Sequence, residues 1–374
     1  MRDSRWMIIA AACALAAIPA ASADAAQGAP GVVYTMTNAA AGNEVVAFDR
    51  LADGSLQYAA TYDTGGLGSG DGLGNQGGVV LSDNGQWLLV VNAGSGELTV
   101  FRVDADGLTR TDTAFSGGVR PISVAAHGDL VYVVHAGGSV GDVDSIAGLE
   151  LTSDGRLFPL PGSIRLLSAA NTAPAQVSFS PDGRFVLVTE KATSLIGVFP
   201  LDEDGYAGDP VWNPAAGQTP FAMDFGKRDQ LFVSEVFGGA EDAGAVSSYH
   251  LEHDGSLEVL DGSVANTETA PCWLVVTQGG RFVFTTNTPD DSLSAYAVDF
   301  AGQLELLAED GRSGEPGMGT NPLDMDLSND GRFLYTLNIG DDTISTFRVR
   351  PDGSLDLLHA VGGVPDGANG LAAR

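Results

Sequence analysis

His135, Glu190 and Glu235 recur at matched places along this chain of 374 residues. Each closes an apolar, β-rich run, as in Val188-Thr189-Glu190 and Val233-Ser234-Glu235. Two carboxylates held close together share a proton, which raises one pKa and leaves the other as a base for water. An imidazole on the preceding unit can carry that proton at neutral pH. Asn38, Asn92, Asn287 and Asn338 occupy the same run-ending position, and their amides suit a carbonyl oxygen or a water. Two readings stand together. In one, Glu190, Glu235 and His135 form a hydrolytic centre. In the other, the whole set only satisfies waters and backbone ends. A third places a divalent cation between the glutamates and asparagines, since calcium favours such oxygens; otherwise no cofactor is expected.

The elements that must position these residues repeat. Inner strands are predicted to start near Gln76, Pro121, Pro174, Pro220, Pro271, Pro322 and Ala368, at steps of 45 to 53 residues. Such a period signals propeller blades. Each unit runs from an alternating apolar strand through a tight turn, such as Pro181-Asp182-Gly183, to the strand ending on the ring residue, then a third strand and another Asp-Gly turn. Alternation with Asp-Gly punctuation predicts antiparallel hairpins and no amphipathic helix. The fold class is therefore all-β, a seven-bladed propeller with four-stranded antiparallel blades. The first unit, from Val32, lacks an inner strand, and the segment from Ala368 to Ala373 resembles one with nothing after it. Joining them closes the ring and removes its edges.

Closure brings equivalent positions to one axis. Gln176 and Trp273, two residues into their inner strands, lie at the level of the ring. Gln176 is placed to orient a carbonyl, and Trp273 either stacks a ligand ring or plugs the channel. With Asn92, Asn287, Asn338 and Arg120 they form the expected substrate-binding set. Length is concentrated on one face, in Gly65–Gly74, Asp310–Thr320 and insertions at Gly137–Ile146 and Gly238–Ala245. Function on rigid scaffolds gathers in such loops. Gly72-Leu73-Gly74-Asn75-Gln76-Gly77 matches a dinucleotide fingerprint but opens a strand rather than a helix. Gly137-Gly138-Ser139-Val140-Gly141 matches a nucleophile elbow with no helix after it.

Composition narrows the partners. Formal net charge is −30, and Lys191 and Lys227 are the only lysines. That field disfavours nucleic acid and anionic membrane surfaces, so a small-molecule ligand and a monomer are expected, with no membrane span. Arg2 and Arg5, the apolar stretch from Trp6 to Ile18 and Ala21-Ser22-Ala23 read as a cleaved export signal over residues 1–23, leaving 24–374 as a secreted or periplasmic propeller. Cys272 is then the remaining cysteine, so the core rather than a disulfide must supply stability.

The blade pattern resembles the seven-bladed lactonase family, which includes bacterial 6-phosphogluconolactonase and fungal carboxymuconate cyclase. The likeness spans nearly all of residues 24–374 and is sharpest from Val177 through Asp204, with Phe-Ser-Pro-Asp-Gly-Arg-Phe at 179–185. It implies hydrolysis of a lactone ring, with an acidic residue at Glu190. The family's arginine and histidine just after the inner-strand proline are missing: Ala175-Gln176, Phe221-Ala222 and Cys272-Trp273 stand there. The resemblance thus implies either an exported lactone hydrolase or a non-catalytic propeller that binds a small molecule or protein on its loop-rich face.

Overall fold

Seven antiparallel sheets form the ring, and six are built from consecutive strands. The computed structural model describes residues 31–140 and 143–374; the export-signal reading of residues 1–23 lies outside them. Blade 1 is composite. The strand Asn369–Ala373 is innermost and pairs with Gly31–Met36, followed outward by Glu44–Arg50 and Leu56–Asp63. In blade 3 the outer strand is split, Leu157–Pro159 and Arg165–Leu166 both pairing with Val143–Leu151. The inner strand of blade 2 begins at Val79, three residues beyond Gln76.

The second strands form the core of each blade. Trp87–Asn92, Phe185–Glu190, Gln230–Glu235, Phe282–Asn287 and Phe333–Asn338 are buried at every residue. Both faces of a blade are covered by its neighbours, which explains continuous apolar runs instead of clean alternation. Tyrosines tie blade to blade: the Tyr132 hydroxyl donates to the Gly205 carbonyl at 2.9 Å, and that of Tyr335 to the Gly54 carbonyl at 3.2 Å. Both sit three residues before a ring residue, and so does Tyr34 if the blade 1 member is Thr37. The strand register supports Thr37, whose amide continues the ladder to Glu44 at 2.8 Å. Asn38 lies one residue further, with φ 50°.

The short Asp-Gly turns lie on one face. Their aspartates act locally: Asp182 accepts from the Ser180 hydroxyl at 2.8 Å and Asp330 from that of Ser328 at 2.6 Å. They are turn residues, as the pattern implied.

Closure also depends on blade 7. Asp326 accepts the Ala373 amide at 2.8 Å, so the closing strand is bonded to Gly31–Met36 on one side and to a blade 7 carboxylate on the other. Deleting residues 366–374 would expose the Gly31–Met36 edge and open the ring. The expected outcome is a melting temperature lower by roughly 10 °C or more, or loss of the cooperative transition, in a thermal melt of the truncated chain.

Candidate functional site

The ring residues are buried latches. Glu190 accepts the Ser168 amide at 2.9 Å, the Ser168 hydroxyl, and the Thr193 hydroxyl at 2.5 Å. Glu235 accepts the Gly217 amide at 2.7 Å and the hydroxyls of Ser247 and Ser263, each at 2.6 Å. Both glutamates are 0% exposed. Ser168 and Gly217 belong to the connections arriving from the preceding blades, so each carboxylate fastens the chain where it enters a blade. The two share no partner among the described residues, and neither faces solvent. The solvent access needed for water-activating chemistry is missing at these two residues.

The remaining members behave alike. Asn92 accepts from Asn43 and Thr64 and donates to Thr99 at 2.8 Å. Asn287 donates to Ser292 and Ser294, and Asn338 to Thr343 and Ser345. His135 is fully buried, with Nε2 2.9 Å from the Ser116 hydroxyl. Burial pulls its pKa down to about 4, so at neutral pH it is an uncharged group that does not take up a second proton. Among the described residues no three His, Cys, Asp or Glu side chains gather as a metal site, and the oxygens expected around a divalent cation are engaged elsewhere.

The loop-rich face is sealed at the axis. The glycine-rich segment before blade 2, which carries the dinucleotide-like pattern, lies across the mouth as a strap. Trp273 Nε1 donates to the Asn75 carbonyl at 2.8 Å, and the Gln76 amide donates to the Ala175 carbonyl at 3.1 Å. The Gln76 side chain bonds both backbone groups of Leu274, at 2.8 and 3.0 Å, joining blades 2 and 6. Lys191 Nζ holds the Gly74 carbonyl, and Arg120 Nη2 lies 3.5 Å from that of Gly72. Phe221 packs against Trp273 with ring centroids 5.2 Å apart, and Lys191 caps Phe221 at 4.9 Å. Trp273 therefore plugs. Gln176 is equally committed: its amide pairs with both backbone groups of Met223, at 3.0 and 2.7 Å. Burial, with Arg120 nearby, pulls the Lys191 pKa to about 8, and burial pushes the Cys272 thiol to about 12.

The open space lies below this seal. A cavity of about 860 Å³ occupies the channel and reaches the face of the short turns. Its walls are inner strands, and its polar lining includes Asp224, Asp324, Asp326 and Ser178 together with Gln76, Gln176, His127 and Arg374. Asp224 accepts the Phe225 amide at 2.8 Å and the Val276 amide at 2.7 Å; Asp326 accepts those of Leu327 at 2.7 Å and Ala373 at 2.8 Å. Each thus bonds the inner strand of the next blade. Burial raises Asp224 to about 6 and Asp326 to about 7, the charge of Asp224 adding to the latter. Burial and neighbouring Asp326 hold Asp324 well above the ordinary carboxylate range. The sequence signal for these residues is an acidic side chain inside an apolar inner strand, Phe221-Ala222-Met223-Asp224-Phe225 and Leu323-Asp324-Met325-Asp326-Leu327.

Comparison with known proteins agrees with the fold. No family model matches the chain. The 6-phosphogluconolactonase of Pectobacterium carotovorum is 24% identical over 280 residues, covering 72% of this chain and 79% of that protein. The Pectobacterium atrosepticum enzyme of the same name is 21% identical over 282 residues. The chain is similar to these 6-phosphogluconolactonases at low identity over most of its length. Among solved structures, a Lactobacillus plantarum protein superimposes with a TM-score of 0.70 at 16% identity, covering 92% of this chain and 99% of that one. The periplasmic gluconolactonase of Pseudomonas aeruginosa gives 0.63 at 21% identity, covering 90% and 98%. Among the described residues no helix is long and apolar enough to cross a membrane.

Two outcomes follow. Glu235→Gln leaves hydroxyl donors facing an amide and is expected to cost about 1–3 kcal/mol in urea unfolding. The channel aspartates bind more protons folded than unfolded between about pH 4 and pH 7, so their contribution to stability is full at low pH and is lost as pH rises through that window. His135 acts oppositely, because its contribution is lost as pH falls below its unfolded value near 6.5. Melting temperature is therefore expected to rise as pH falls from 8 to 6.5, with a shallower slope in Asp326→Asn.

Proposed function

We propose that the chain is an exported hydrolase of small, uncharged lactones, and that the chemistry takes place in the central channel, entered from the face of the short turns. The observation that carries the reading is a cavity of about 860 Å³ holding Asp224 and Asp326, two carboxylates raised to about 6 and about 7. A large pocket with perturbed, converging titratable groups is where chemistry is first sought. The names of the curated relatives supply the reaction class, and the N-terminal signature, with the periplasmic gluconolactonase among the structural neighbours, supports export.

In this reading Asp326, ionised above its pKa, takes a proton from water as the water oxygen attacks the lactone carbonyl carbon. The Ser178 hydroxyl, in only a long 3.4 Å contact with the Phe179 carbonyl, turns to the developing oxyanion. The ring C–O bond then breaks, the proton passes to the leaving alkoxide, and a hydroxy acid results. Burial raises the proton affinity of Asp326, and the charge of Asp224 adds to it. Each oxygen of a carboxylate has two lone pairs, so the backbone amides leave capacity toward the cavity.

A panel of aldonolactones tests this. Wild type is expected to turn over at least one, with kcat/KM falling below about pH 7. Asp326→Asn should lower kcat by about 100-fold or more, whereas Glu190→Gln should retain kcat in its folded fraction. Loss of activity in folded Glu190→Gln with Asp326→Asn unaffected would return the chemistry to the ring. The strap and the Trp273 plug favour a second reading, a non-catalytic propeller that binds its ligand on the outer loop-rich surface. Absence of turnover across the panel, with a ligand retained by wild type, would support it.

A further inference from the structure

Two cations grip the strap at the loop-rich mouth, and no carboxylate answers their charge. Lys191 Nζ donates to the Gly74 carbonyl, and Arg120 Nη2 lies 3.5 Å from that of Gly72. Both acceptors are neutral. Among the described residues neither cation enters an ion pair, whether with the exposed Asp71 beside Gly72 or with any other carboxylate. Glu190, the chain neighbour of Lys191, is spent on Ser168 and Thr193. The groups whose charge acts on Lys191 are Arg120, which repels it, and the buried Cys272 thiol. Two adjacent unpaired cations stand out in a chain with 18 basic residues against 48 acidic ones.

The fold requires neither charge. Arg120 precedes an inner-strand proline with φ 55°, and Ala173, Thr219, Ala270 and Asn321 hold the same place with φ of 50°, 58°, 52° and 45°. That backbone belongs to the repeat, and its other occupants carry no charge. Lys191 follows a ring residue, where other blades place Ala93, Ala136, Val236, Thr288 and Ile339. Donors are also left over. An ammonium has three N–H groups and a guanidinium five. Lys191 uses one at Gly74, with its charge over the Phe221 ring at 4.9 Å. Arg120 has the long contact at Gly72, and its Nε is buried without a partner.

The strap leaves room for a ligand here. Gly72 and Gly74 are exposed, and a Cβ on Gly72 would meet no atom within 4 Å. Two residues of chain span at most about 7 Å, a distance that one carboxylate can bridge by accepting from a cation on each side. We propose that Lys191 and Arg120 together bind the carboxylate of a small molecule on the outer face of the strap. Arginine offers paired donors to such oxygens and lysine a mobile point charge. The net charge of −30 repels a dianion about twice as strongly as a monoanion, which favours a carboxylate over a phosphate. The site gives the surface-binding reading a ligand class, but it stands on the two cations and holds whether or not the channel hydrolyses a lactone.

Isothermal titration of the full chain with gluconate at constant ionic strength tests it, with sorbitol as the uncharged probe. The expected result is saturable binding of gluconate and none of sorbitol. Lys191→Gln and Arg120→Gln should each weaken binding about tenfold or more. Lys191→Arg, which keeps the charge, should stay within about threefold of wild type, and so should Lys227→Gln, which changes the other lysine in the short turn between Pro220–Phe225 and Gln230–Glu235. Absence of saturable gluconate binding to wild type, equal binding of sorbitol, or tighter binding of inorganic phosphate would overturn the proposal. Binding lost in Asp326→Asn but kept in Lys191→Gln would place the carboxylate in the channel and overturn it too.

Discussion

The polar latch at the end of each second strand is the interaction on which the rest of this propeller depends. A blade is a meander whose strand ladder does not continue into the next blade, so something must fix where the chain crosses. Here a buried carboxylate, amide or imidazole gathers polar groups from the arriving connection and the outer strands, as Glu235 does with Gly217, Ser247 and Ser263. Burial makes such a group costly to leave unpaired and strong when fully paired. The type of side chain varies because the local donors vary. Glu190 and Glu235 stand where three hydroxyl or amide donors converge, and Asn287 and Asn338 where hydroxyls can accept.

That variation explains what the sequence could and could not convey. The period, the Asp-Gly turns and the incomplete first and last units determine the ring and its composite blade, because each is a local pattern with one geometric solution. The function of the ring residues is different in kind. An acidic residue ending an apolar strand looks the same whether it faces a channel or a serine on its own blade. Ser168, Ser263 and Ser247 lie 22 residues before, 28 after and 12 after the glutamates they satisfy, and no spacing rule links them. Trp273 and Gln176 bond Asn75 and Met223, which are 198 and 47 residues away.

The channel aspartates were legible in principle. A carboxylate inside an inner strand of a closed ring has only the next blade or the channel to face. Asp224 and Asp326 do both, accepting neighbouring strand amides while lining the cavity. Each carboxylate that joins two inner strands therefore also raises its own pKa, since the position that makes it a useful bridge is the one that removes water from it.

The two ends of the channel are consequently unlike. At the loop-rich end, cations and aromatic rings hold a strap of glycines in place: a Cβ on Gly74 would come within 3.2 Å of Lys191 Nζ, and one on Gly78 within 2.9 Å of Asn369 Oδ1. Glycine lets the backbone approach its neighbours that closely at these two positions. Long connections here serve to shut one mouth, so loop length points to the lid and away from the entrance. The open mouth lies among the most regular turns of the fold, and the inner strands that carry Asp224 and Asp326 are each bonded to the next blade. A site built on strand ends tolerates little displacement, and that constancy suits a carboxylate, Asp326, whose proton affinity is raised by burial and by the charge of Asp224.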